Sequence, residues 1–208
     1  MTKPTSTRKN RDNVLIKTRP GALRYLSHLV SAPVIAAPIF VSLAALENAS
    51  AIYALVSVLF AGVIPIVGVL YFARLEKLDY DIPERSARAR PFVFAITSYL
   101  VGFLVLVSSG APLLMSGLML AYSINTSVMF VVTLFWKISV HAAGVTGPLT
   151  FLVFRLGFLW GLLYLLVLPV GLLRLRLGQH TLLQLLAGAV LSAALTWIEI
   201  IFLVPLIP

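Results

Sequence analysis

Ala51-Ile-Tyr-Ala-Leu-Val-Ser-Val-Leu-Phe-Ala-Gly-Val-Ile-Pro-Ile-Val-Gly-Val-Leu-Tyr-Phe-Ala73 runs for 23 residues without one charged side chain. As an α-helix it is about 35 Å long, enough to cross a hydrocarbon core of about 30 Å. Six further apolar runs join it, giving spans at roughly 27–46, 51–73, 92–108, 112–136, 140–154, 157–173 and 181–206. The 208-residue chain is 60% hydrophobic and 11% charged, whereas a soluble domain carries about 25% charge. The alternating short segments of a membrane barrel are missing. The fold class that follows is all-α: a polytopic transmembrane helix bundle of six to seven spans. Pro33, Pro38, Pro65 and Pro169 fall inside spans, which membrane helices tolerate where neighbours satisfy the freed carbonyls.

The charges test the span count. With seven spans, the N-terminal segment, the 74–91 loop, the 137–139 junction and the 174–180 segment share one side. They hold seven, five, one and two Lys or Arg, fifteen of the sixteen in the chain; only Arg155 falls opposite. Such asymmetry places the N-terminus and the basic face in the cytoplasm, with the plasma membrane as the expected location. Residues 1–26 read as a basic, disordered tail and 27–208 as a single membrane domain. The first span reads as retained rather than as a signal peptide. The net charge of +9 does not point to nucleic acid, because the basic residues gather between spans without interleaved aromatics. It suits anionic lipid headgroups. The absence of cysteine excludes disulfides, zinc thiolates and thiol nucleophiles.

Three polar segments meet on the basic face. Asp79-Tyr-Asp81-Ile-Pro-Glu-Arg85-Ser-Ala-Arg88-Ala-Arg90-Pro91 carries guanidinium groups that suit phosphate oxygens; it equally suits a topology-setting loop. Ser139-Val140-His141-Ala142-Ala143-Gly144 opens a span, where a helix N-terminus favours an anion and His141 can give a proton. Its plainer reading is a serine cap beside an interfacial histidine. Arg174-Leu-Arg-Leu-Gly-Gln-His180-Thr-Leu-Leu-Gln184 opens the last span. His180 and Gln184 share a helix face, so Gln184 can hold one imidazole nitrogen and leave the other to attack. Arg174 can bind the phosphate, with Arg176 a competitor; the plainer reading is positive-inside arginines followed by a cap.

Together these segments resemble the type-2 phosphatidic acid phosphatase and haloperoxidase superfamily, whose pattern is Lys-x6-Arg-Pro, Pro-Ser-Gly-His and Ser-Arg-x5-His-x3-Asp. Arg90-Pro91 resembles the end of the first motif, Ser139 and His141 the second, and Arg174 and His180 the third; Leu186-Ala187-Gly188-Ala189 is similar to what usually follows. The chain departs from the pattern at Pro83, Ile138, Val140, Leu173 and Gln184, with Arg85 or Arg88 as stand-ins for the missing lysine. The resemblance implies a lipid phosphate or polyprenyl (pyro)phosphate phosphatase that needs no metal or other cofactor. It implies His180 as nucleophile, His141 as proton donor to the leaving alcohol, and Arg174, Arg90 and Ser139 as phosphate ligands. Gln184 stands where an aspartate supports the nucleophile. The competing expectation is a catalytically impaired member that binds anionic lipid or assists a membrane partner. A small transporter fits less well, since no span shows a buried charge near its middle and no inverted repeat is visible.

Other polar residues read as structural. His28 reads as interfacial. Glu199, about 27 Å along its helix from Thr181, reads as snorkelling at the far interface, and so does Arg155. Asn48-Ala-Ser50 and Asn125-Thr-Ser127 match the glycosylation pattern but lie at or inside spans.

Overall fold

A computed structural model describes residues 31–75 and 89–207. The tail at 1–26, His28, Arg85 and Arg88 lie outside the described residues. Seven helices are present and no strand occurs among the described residues. They are α1 (Ala32–Leu46), α2 (Ala51–Leu75), α3 (Ala89–Ser108), α4 (Leu113–Phe135), α5 (Val140–Leu156), α6 (Phe158–Arg176) and α7 (Leu182–Leu206). Five of them (α2, α3, α4, α6 and α7) are long and apolar enough to cross a membrane, while α1 and α5 are shorter apolar helices. The chain is a multi-pass helical membrane protein.

The helices turn back on one another through tight links on the side away from the basic segments. α1 ends at Asn48, whose φ of 51° is the left-handed conformation that asparagine tolerates. α3 ends at Gly110 with φ 72°, and α5 meets α6 at Gly157 with φ 102°. Short links make sequential helices antiparallel neighbours. Arg155, read from sequence as a lone snorkelling residue, is instead tied at this end. Its Nε donates to the Glu47 carboxylate, and its Nη2 donates to the Leu46 carbonyl at 2.9 Å, so the tail of α5 is joined to the tail of α1.

α5 sits at the centre, packed mainly on α7 and also on α1, α4 and α6. Eleven of its seventeen residues are buried. Small residues allow this, because between helices in a membrane close packing replaces the hydrophobic effect. A Cβ at Gly144 would lie 2.1 Å from the Ala32 Cβ of α1, and one at Gly147 would lie 2.5 Å from Ser192 Oγ of α7. Hydroxyls then stitch α5 to α7: Thr146 Oγ1 donates to Ala189 O at 2.8 Å, and Ser192 Oγ donates to Ala143 O at 3.0 Å.

Two helices carry a wider, π-type turn, and each is followed at the same spacing by proline. In α2 the turn covers Leu59–Val63, and Ile64 N–H bonds to Leu59 O, five residues back. The next donor in that register would be residue 65, which is Pro65 and has no N–H. The orphaned Phe60 carbonyl is taken by Ser98 Oγ of α3 at 2.7 Å. In α7 the turn covers Glu199–Leu203, Val204 N–H bonds to Glu199 O, and Pro205 follows. The sixth span also differs from an ordinary α-helix, since Phe158–Leu166 is wound as a 3₁₀ helix before Val167–Arg176 becomes α-helical.

Candidate active site

The turn between α6 and α7 is built from two caps placed back to back. α6 closes with a Schellman arrangement. Gln179 N–H bonds to Arg174 O at 3.0 Å, Gly178 N–H bonds to Leu175 O at 2.9 Å, and Gly178 takes the left-handed φ of 63°. α7 opens with a capping box, in which Thr181 Oγ1 accepts from Gln184 N and Gln184 Oε1 accepts from Thr181 N. Only His180 and the few residues around it separate the caps. The Arg-x5-His spacing is therefore the spacing that one Schellman turn and one capping box enforce.

Gln184 has a second contact. Its Oε1 lies 3.2 Å from His180 Nδ1. The Thr181 backbone N–H is an obligate donor, so the amide atom facing it at 3.1 Å is oxygen. Nδ1 must then be the donor to that same oxygen. A neutral imidazole that donates from Nδ1 carries its lone pair on Nε2.

α5 brings the second histidine. Ser139 caps the helix, its Oγ accepting from Ala142 N at 3.3 Å. Ser139 N donates to Gln184 O at 3.2 Å, and a Cβ at Gly188 would lie 2.4 Å from Ser139 O. The start of α5 is thus pressed directly onto the first turns of α7. This contact sets His141 in the same region as His180.

A cavity of about 590 Å³ opens between the helices, and Arg174, His141 and His180 all line it. Arg174 and His180 are buried, at 3% and 8% exposure, while His141 is partly exposed. The cavity wall is otherwise mostly apolar, with Phe92, Ala95, Met129 and Ile138 among its residues. Arg176 is exposed and is not among the lining residues, so Arg174 is the arginine that faces the cavity. Ser139 is fully buried as a cap and does not line it. Arg90 is exposed in the first turn of α3, where its neighbour Pro91 lines the cavity.

The cavity also reaches residues the sequence did not single out as functional. Tyr99, Tyr122, Asn125 and Thr196 line its deeper part. Asn125 Nδ2 donates to Thr196 Oγ1 at 2.9 Å and to Glu199 Oε2 at 3.2 Å. Glu199 is 4% exposed, so it does not snorkel to the far interface. A helical side chain points back toward the helix N-terminus, which turns the Glu199 carboxylate inward to Asn125. Asn125 itself stands near the midpoint of α4. The signal was present in the sequence: Gly188, Ser192, Thr196 and Glu199 recur every three or four residues along α7, a stripe of small and polar side chains that belongs against other helices.

Compared with known proteins, the chain matches no family model, no curated protein and no solved structure.

Proposed function

We propose that this protein is an integral membrane phosphatase that cleaves a lipid phosphate or diphosphate through a phosphohistidine. The observation that carries this reading is the convergence of Arg174, His141 and His180 on one mostly apolar cavity, with His180 held through Nδ1 by Gln184. His180 Nε2 attacks phosphorus and the N–P bond forms as the P–O bond to the lipid breaks. His141 gives its proton to the leaving oxygen, and Arg174 balances charge on the remaining phosphoryl oxygens. Water then attacks phosphorus and gives a proton to His141 as the N–P bond breaks, which releases phosphate and restores both histidines. The lipid tail stays within the apolar part of the cavity throughout.

Gln184 makes the competing reading specific. Its neutral amide orients the ring but does not balance the charge that develops on His180, and a protein that only binds anionic lipid would need no more. Phosphate release from a panel of lipid phosphates, in detergent with chelator present, separates the two. The expected result is release by the parent chain and faster release by Gln184→Asp, with an upper bound of about 10⁴-fold by analogy with loss of the carboxylate in a catalytic triad. A silent parent with an active Gln184→Asp variant supports the binding reading. Silence of both on every lipid overturns the enzyme.

The basic face, and the cavity mouth with it, is proposed to be cytoplasmic on the strength of the seven-span reading, which assigns fifteen of the sixteen basic residues to that side. The parent has no cysteine, so Arg176→Cys provides a unique label. Modification by a membrane-impermeant maleimide only after the cells are opened is the expected result; labelling of intact cells reverses the orientation.

A further inference from the structure

We propose that the floor of the cavity measures the lipid, so that Tyr99 and Tyr122 select one hydrocarbon chain of limited length. This rests on the reading of Arg174, His141 and His180 as the headgroup end. Two buried aromatic rings line the opposite end. Tyr99 and Tyr122 are buried at 3% and 6% exposure, with ring centroids 5.3 Å apart. Tyr122 also stacks on the fully buried Phe40 of α1, at 6.0 Å and 23°. Beyond this pair lies solid core, including Leu43, Leu106 and Met115. The Asn125–Thr196 hydrogen bond closes the α4–α7 side at 2.9 Å.

The depth is that of an extended hydrocarbon chain. Thr181 to Thr196 is about 22 Å along α7, and Phe135 to Tyr122 is about 20 Å along α4. A chain entering from the bilayer gains little from transfer, because it leaves surroundings as apolar as those it enters. Fit then decides. A chain that stops short of the floor leaves space unfilled, and one that overruns it must displace packed aromatic rings. The second chain of a two-chain lipid would stay in the bilayer.

The test compares dodecyl, hexadecyl and eicosyl phosphates with the full-length protein in lipid nanodiscs, reading phosphate release and protection against heat in parallel. The expected result for the parent is a maximum at hexadecyl phosphate and roughly a tenfold fall at eicosyl phosphate. Tyr122→Ala removes the floor and moves the maximum to the eicosyl chain. Ala95→Leu fills the wall about 9 Å below the start of α3 and moves it to the dodecyl chain. A variant that merely misfolds loses all three substrates together, so opposite shifts in the two variants are the signature. Equal responses to all three lengths in the parent, or a maximum that neither variant moves, overturn the proposal. Absence of release with chain-length order preserved in heat protection leaves the floor standing and removes the phosphatase reading instead.

Discussion

Replacing His180 by alanine is expected to abolish phosphate release, by four to six orders of magnitude if His180 is the nucleophile, the scale seen when a covalent catalyst loses its attacking group. The expected structural loss is small by comparison. The substitution removes the hydrogen bond from Nδ1 to Gln184 Oε1 at 3.2 Å, and such a bond is worth about 1 kcal/mol. The capping box survives the substitution, because Thr181 and Gln184 satisfy each other. The variant should therefore unfold within a few degrees of the parent while its activity disappears. Unchanged turnover in a folded His180→Ala protein sinks the mechanism.

The second large effect concerns stability. Asn125→Leu is expected to destabilise the bundle by about 3 kcal/mol, the cost of leaving buried acceptors without a donor. A hydrogen bond between membrane helices averages only about 0.6 kcal/mol, so the loss of the bond itself is the minor part. The major part is Glu199, whose Oε2 takes its hydrogen bond from Asn125 and whose Oε1 has no partner among the described residues. Removing both partners should reverse the damage: Asn125→Leu combined with Glu199→Leu is expected to recover most of the loss. Thermal unfolding of the parent, the two single variants and the double variant closes the cycle. Additive effects, with no coupling, would show that Asn125 and Glu199 do not depend on each other.

Hydropathy located the helices because hydrocarbon leaves the backbone little choice. The 51–73 run became Ala51–Leu75, and the 181–206 run became Leu182–Leu206. Hydropathy is blind to pitch, so the 3₁₀ winding of Phe158–Leu166 and both π-type turns went unread. The repeated proline six residues after each π-type turn begins was visible, but its meaning depends on which neighbour takes the orphaned carbonyl. At the site, the Thr181–Gln184 pattern was readable as a cap and the His180–Gln184 spacing as a contact. That one oxygen serves both requires coordinates. Ser139 shows the opposite case: a serine before a helix is suited to an anion or a cap, and only its complete burial assigns it to the cap. Distance along its own helix puts Glu199 at the far interface; the backward tilt of its side chain and its partner Asn125 on α4 bury it instead.

The links at Asn48, Gly110 and Gly157, together with the Arg155–Glu47 contact, are matched at the other end by the capped α6–α7 turn and the Ser139–Gln184 hydrogen bond, which hold α5, α6 and α7 together there. Three helix pairs are pinned at the face opposite the basic residues. A lipid that enters from the side under the proposed reading would pass where α1 begins, α2 ends and α3 begins, since Ser31, Leu70 and Pro91 line the cavity there. A lipid would enter headgroup-level first, beside Arg174 and the histidines, and its tail would thread inward afterwards.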